Sequence, residues 1–95
     1  MNDKSINPVA IITGGSRGVG AATARLLASK GWNVTITCTS SIEDADSVVK
    51  ECEALGVEAL ALSADVSDDA SCKKTAEDTI QKWGRIDALV NNAGT

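Results

Sequence analysis

The sequence predicts an α/β fold with a doubly wound parallel sheet. Three observations predict it. Short apolar or β-branched runs alternate with segments of helical periodicity. Glycines close each helical segment. The connections between segments are only a few residues long. Strands alternating with helices over such short links imply right-handed parallel crossovers.

The polar stretch Met1 to Asn7 reads as a leader expected to fray at the terminus. Pro8 then precedes Val9-Ala10-Ile11-Ile12, an unbroken apolar run that suits a strand covered on both faces. A glycine-rich segment follows, Thr13-Gly14-Gly15-Ser16-Arg17-Gly18-Val19-Gly20. The next segment is helical, with an expected inner stripe of Val19, Ala22, Thr23, Leu26 and Leu27 and a stop at Gly31. Asn33 to Cys38 reads as the second strand, rich in β-branched residues.

The second helix is expected to start at Ser41, with Asp44 three residues on. Ala45, Val48, Val49, Cys52 and Leu55 form its stripe, and Gly56 closes it. Val57 to Ser63 is the third strand. The third helix is expected to be capped by Ser67 and opened by Asp68 and Asp69, acids that suit the positive end of a helix dipole. Its expected inner face is Cys72, Ala76, Thr79, Ile80 and Trp83, and Gly84 ends it. Ile86 to Val90 is the fourth strand, followed by Asn91-Asn92-Ala93-Gly94. The order β-α-β-α-β-α-β implies the spatial strand order 3-2-1-4, which carries a sheet to the point where its winding reverses.

Composition narrows the function classes. The chain has 95 residues, enough for one small domain. With 9 basic and 13 acidic residues its formal charge is −4, so no basic face for nucleic acid is expected. No apolar run is long enough to span a membrane. There is no His, Tyr or Phe, which excludes a Ser-His triad, a His metal site and a Tyr general acid within these residues. No metal site is expected. Cys38, Cys52 and Cys72 fit no zinc or redox-pair spacing and read as small, partly buried free thiols in a reducing cytoplasm. Trp32 and Trp83, each beside a helix-ending glycine, read as packing residues.

The glycine-rich segment is the most informative. A phosphate group needs main-chain N–H donors and close approach, and glycine supplies both by lacking Cβ and tolerating positive φ. The helix that follows points its positive end and its unpaired N–H groups at the anion. The spacing is T-G-x-x-x-G-x-G. No Gly-Lys-Ser/Thr follows, so a P-loop NTPase is excluded.

Three motifs occur in order: Thr13-Gly14-Gly15-Ser16-Arg17-Gly18-Val19-Gly20, Asp65-Val66 after the third strand, and Asn91-Asn92-Ala93-Gly94 after the fourth. On these the chain resembles the amino-terminal part of a short-chain dehydrogenase/reductase, most closely the 3-oxoacyl-acyl-carrier-protein reductase type. The resemblance implies a partial Rossmann fold, with residues 1–95 as the amino-terminal half of a dinucleotide-binding domain and the catalytic half absent. It implies that Asp65 and Val66 line an adenine pocket, and that Asn92, Ala93 and Gly94 bring backbone close to the nicotinamide-side ribose. Asn91 reads as structural, tying the strand end to its neighbour.

NAD readers place an acid at the end of the second strand to bond the ribose 2′-OH. Here that region is Cys38-Thr39-Ser40-Ser41, with no acid. Arg17 supplies a guanidinium for a 2′-phosphate, although it is also readable as a solvated surface arginine. Thr39, and further Ser40 and Ser41, add hydroxyls. NADP is therefore the expected cofactor. The expected cofactor-binding residues are Gly14, Gly15, Ser16, Arg17, Gly18, Val19, Gly20, Thr39, Asp65, Val66, Asn92, Ala93 and Gly94.

The family's chemistry, as the resemblance implies it, uses a downstream Tyr-x-x-x-Lys pair with a Ser. The 95 residues contain no tyrosine, so they are expected to be inactive alone and to belong to a longer oxidoreductase acting on a carbonyl or alcohol. A homo-oligomer is expected, because the fourth strand would leave an unpaired edge. Two other readings stay open: a non-catalytic dinucleotide-binding module, and a self-associating piece without ligand.

Overall fold

A computed structural model describes residues 7–14, 18–39, 42–65 and 68–92. The elements run β1 (Val9–Thr13), α1 (Gly18–Ser29), β2 (Asn33–Cys38), α2 (Ile42–Ala54), β3 (Ala59–Ser63), α3 (Asp69–Trp83) and β4 (Ala88–Asn91). The sheet has the order β3-β2-β1-β4 and is parallel throughout, as the sequence predicts. Ile12 stands opposite Ile36 on one side and Val90 on the other. The two central strands are the most buried, β2 along its whole length, whereas β4 alternates half-buried and exposed positions. The strands begin later than expected: β3 at Ala59 rather than Val57, and β4 at Ala88 rather than Ile86.

Side chains alternate across the sheet. Ala10 and Ile12, Val34, Ile36 and Cys38, and Ala59 face α1 and α2 and form one apolar core with them. The opposite face meets α3 and is more polar. There Thr35 Oγ1 lies 2.9 Å from Thr79 Oγ1, both buried.

Two helix faces differ from expectation. Helix α1 buries Gly20, Ala21, Ala24 and Ala28; of the expected stripe Leu27 packs half-buried against the core and Thr23 is half-buried, whereas Val19, Ala22 and Leu26 are exposed. Val19 is 72% exposed and Leu26 56%. Both stripes have helical spacing, and periodicity cannot choose between them. The small residues win because they let the helix axis approach the sheet and α2 closely. Helix α2 follows its expected face at Ala45, Val48 and Cys52, but Leu55 lies beyond the helix and is exposed.

Helix α3 buries Thr75, Thr79 and Trp83, while Cys72 and Ile80 are exposed and Ala76 is half-buried. The threonines can face the sheet because their hydroxyls are satisfied. Thr75 donates to Ser71 O at 2.9 Å and Thr79 to Thr75 O at 2.8 Å. A buried hydroxyl with a partner carries little desolvation cost. The cap of α3 is Asp68, whose carboxylate accepts from Ala70 N at 3.0 Å, not Ser67. Ser41 and Ser67 lie outside the described residues. Gly84 ends α3 with φ of 77°, its N–H donating to Ile80 O at 2.6 Å.

None of the three cysteines is in a disulfide; Cys38 and Cys52 are buried and Cys72 is exposed, against the expectation of partial burial for all three. Burial, with Glu51 next in weight, pushes the Cys52 thiol above its usual pKa, so it is not a reactive thiolate. Trp32 packs against the apolar core, and Trp83 is buried with its Nε1 donating to Glu58 Oε1 at 2.8 Å. Both tryptophans are packing residues, as expected. No helix among the described residues is long and apolar enough to cross a membrane.

The entry to the β1–β4 pairing is tied by Asp87. Its Oδ2 accepts from Val9 N and from Arg85 Nε, both at 2.8 Å, and its Oδ1 from Arg85 Nη2 at 2.7 Å. Its own N–H donates to Val9 O at 2.8 Å. The Arg85 hydrogen bonds, then that of Val9, hold the Asp87 carboxyl below its ordinary value of 3.8. The unfolded chain therefore takes up this proton first as pH falls. The contribution is complete above the ordinary value and is lost as pH drops through the lower folded one. Asp87→Asn should flatten that part of the acid-unfolding curve, read by circular dichroism from neutral pH downward. An unchanged slope would show that Asp87 does not carry it.

Candidate functional site

The carboxyl ends of β1, β2 and β4 lie side by side, and the chain turns at Gly14 from β1 towards α1. This is where the winding reverses, since β2 lies on one side of β1 and β4 on the other. Open α/β sheets bind ligands at such a crevice.

Gly14 has φ of 67°, a region that only glycine enters without strain. Its N–H donates to Thr37 Oγ1 at 3.3 Å, and its carbonyl accepts from Asn92 Nδ2 at 3.4 Å. Gly20 lies in the first turn of α1 and is buried against this same peptide. A Cβ on Gly20 would collide with Gly14 O and stand 2.8 Å from Asn92 Nδ2. Gly20 is thus required by close contact between the turn and the helix, and Gly14 by its positive φ. Gly18 opens the helix, exposed and with φ of 57°, and a Cβ there would meet open space. The first turn of α1 carries no acidic side chain, so the positive end of its dipole is not offset from within the helix.

Thr13 joins the turn to β4. Its Oγ1 accepts from Asn92 N at 2.9 Å and lies 3.1 Å from Asn91 Oδ1, to which it donates. Asn91 therefore ties the strand end to its neighbour, as expected. Asn92 does the same through its side chain. Val19 is exposed at the start of α1. Thr39 is exposed just beyond β2, and Asp65 is exposed beyond β3, where its carbonyl accepts from Asp68 N at 2.9 Å. Glu43 and Asp44 sit in the first turn of α2, where they complement its dipole.

The structure therefore brings Gly14, Gly18, Gly20 and Asn92 together around one turn, with Thr39 and Asp65 beyond the ends of the next two strands. Gly15, Ser16, Arg17, Val66, Ala93 and Gly94 lie outside the described residues. The sequence reading assigned no role to Thr37. Its signal was available: alternation puts Thr35 and Thr37 on one face of a fully buried strand, and a buried hydroxyl requires a partner.

A pocket of about 190 Å³ opens on the α3 face, beside the turn, and shares Thr13 and Thr37 with it. Ile11, Cys72, Leu89 and Asn91 are among its other walls, and among the described residues no charged side chain lines it. It does not suit a diphosphate.

The chain matches the family model of the short chain dehydrogenases over residues 8–95. It is 39% identical over 89 residues to a 3-oxoacyl-[acyl-carrier-protein] reductase of Staphylococcus epidermidis, covering 94% of this chain and 36% of the relative. A crystal structure of a putative short-chain dehydrogenase/reductase from Burkholderia xenovorans is 40% identical and superposes with a TM-score of 0.90, over 95% of this chain and 37% of that one. A metagenomic short-chain oxidoreductase in complex with NADP is 40% identical, with a TM-score of 0.86, over 96% of this chain and 41% of that one. The chain thus spans little more than a third of the length of these proteins. A family match over residues 8–95, with a superposition at 40% identity over 95% of its residues, places the chain in the short-chain dehydrogenase family.

Proposed function

We propose that residues 1–95 are the amino-terminal half of a dinucleotide-binding domain, in an NADP(H)-dependent oxidoreductase that moves hydride to or from a carbonyl or alcohol carbon. The observation that carries the reading is Gly20 packed beneath the Gly14 carbonyl at the reversal of strand order. The close approach of Gly20 to this peptide, with no acidic side chain in the first turn of α1, supports a pyrophosphate at the positive end of that helix. The bound nicotinamide supplies the hydride chemistry, and the protein's part is to hold and orient it.

In this reading Gly14, Gly15, Ser16, Gly18, Val19 and Gly20 form the diphosphate turn. Asp65 and Val66 border the adenine. Asn92, Ala93 and Gly94 face the nicotinamide-side ribose. Arg17 and Thr39 take the 2′-phosphate. The NADP preference is supported by the lack of an acid at the end of β2, where Thr39 is exposed, and by the NADP complex of a relative at 40% identity. The carbonyl substrate class is supported by relatives that are 3-oxoacyl-[acyl-carrier-protein] reductases. The chain contains no tyrosine, so we expect no turnover from it alone. Three cysteines without a disulfide fit a reducing cytoplasm. The exposed Leu89 on the edge strand β4 fits a homo-oligomer.

Parallel calorimetric titrations with NADP⁺ and NAD⁺ test the cofactor. NADP⁺ should bind more tightly. A charge-assisted hydrogen bond contributes about 1.5–3 kcal/mol, so Arg17→Ala should weaken NADP⁺ by roughly tenfold or more and leave NAD⁺ nearly unchanged. Equal or tighter NAD⁺ binding by the unmodified chain would overturn the assignment.

A further inference from the structure

We propose that Thr37 is a positioning residue for the glycine turn: its hydroxyl holds the Gly14 amide, sets the direction in which the chain leaves β1, and withholds that amide from the phosphate. The cofactor consequence rests on the reading above, whereas the grip on Gly14 stands on geometry alone.

The β1–β2 register runs from Val9 opposite Asn33 to Ile12 opposite Ile36 and stops there. On its other side β2 continues to pair with β3, through Thr37 opposite Leu62 and Cys38 opposite Ser63. Beyond Ile36, then, no further residue of β2 stands paired with β1, and β1 bends away at Gly14. The Thr37 side chain supplies the next link, accepting the Gly14 N–H at 3.3 Å. Thr37 is only 2% exposed, so this hydroxyl is held by the strand and shielded from competing water.

The Gly14 peptides are gripped from both sides. The N–H points to β2 through Thr37, and the carbonyl is held from the β4 side by Asn92 Nδ2 at 3.4 Å. With φ of 67°, Gly14 has no side chain to steady it, and two neighbouring strands supply that restraint instead. A donor already bonded within the protein is not available to a ligand without breaking that bond. Main-chain donors to a diphosphate must therefore come from beyond Gly14, in the rest of the turn and the first turn of α1. Thr35 provides the contrast. It lies on the same face of the same strand and is fully buried, but its hydroxyl is taken by Thr79 and does not reach the turn.

The test uses the 95-residue chain with three substitutions. Thr37→Val keeps the shape and deletes the acceptor, Thr37→Ser keeps the hydroxyl, and Thr35→Val removes a buried hydroxyl bond remote from the turn. Amide hydrogen exchange at Gly14 is read by NMR without nucleotide, NADP⁺ affinity by calorimetry, and stability by urea midpoint. In Thr37→Val, Gly14 exchange should accelerate and NADP⁺ affinity should fall, each about fivefold, while Thr37→Ser stays within about twofold of the unmodified chain. Thr35→Val should lower the urea midpoint and leave both Gly14 exchange and affinity within about twofold. Unchanged Gly14 exchange in Thr37→Val overturns the proposal, as does an equal loss of affinity in Thr35→Val. If the unmodified chain binds no NADP⁺, the cofactor reading fails, and Gly14 exchange alone then decides for or against the grip of Thr37.

Discussion

Gly20→Ala is expected to destabilise the chain and abolish nucleotide binding, although alanine is the better helix former. In an exposed helix interior the exchange would stabilise by about 1 kcal/mol. Here the added Cβ would run into Gly14 O and stand 3.0 Å from Gly14 C and 2.8 Å from Asn92 Nδ2. The main obstacle is backbone, which cannot rotate aside as a flexible side chain does. Gly14 is also held through Thr37 and Asn92, so relief requires breaking one of those bonds. Overpacking of this kind costs about 1–3 kcal/mol, and the pinned carbonyl places this site towards the upper end. The expected net result is a lower urea midpoint with loss of NADP⁺ binding. A midpoint raised by the substitution would mean that α1 does not press on the turn.

Trp83→Ala is expected to cost the most stability of any single change considered. Trp83 is the last residue of α3, 5% exposed, and its Nε1 donates to Glu58 Oε1 at 2.8 Å. Glu58 N in turn donates to Asn33 Oδ1 at 3.0 Å, and Asn33 is fully buried at the start of β2. One indole therefore joins the end of α3 to the entries of β2 and β3. Truncating a buried tryptophan costs about 3–5 kcal/mol. A domain of this length has a total stability on the order of 5–14 kcal/mol, so the loss takes a large share of it. Trp83→Phe keeps a ring in place and loses the hydrogen bond, with an expected cost nearer 1 kcal/mol from that bond. Urea unfolding followed by circular dichroism reads both. A loss below about 1 kcal/mol in Trp83→Ala would show that the indole is not a structural joint.

Residues far apart in sequence explain where local reading stopped. The order β3-β2-β1-β4 followed from expecting half of a dinucleotide fold, and the four strands and three helices were legible because apolar runs, helical spacing and stopping glycines are local signals. The bend at Gly14 was legible for the same reason. The inner face of α1 was not. Two stripes of equal period compete there, and the choice of Gly20, Ala24 and Ala28 over Val19 and Leu26 depends on how near the sheet the helix must lie. The face of α3 was legible at Thr79 and Trp83 but not at Thr75, which counts as polar until its hydroxyl finds Ser71 O, and Cys72 and Ile80 turned out exposed. Asp68 caps α3 where Ser67 was expected, and both residue types are competent at that role, so local sequence does not choose between them.

The amino-acid sequence by itself determined the alternation of elements, their parallel winding and the presence of a glycine turn. These follow from propensity, periodicity and the absence of Cβ, which act over a few neighbouring residues. Only the tertiary structure decided which helix faces go inward, and that Thr37 and Asn92 hold Gly14 from opposite sides while Gly20 presses from beneath. Those contacts join residues separated by 23 and 78 positions. Such partners meet only after the sheet has assembled, because strand pairing is what brings the ends of β1, β2 and β4 to one edge.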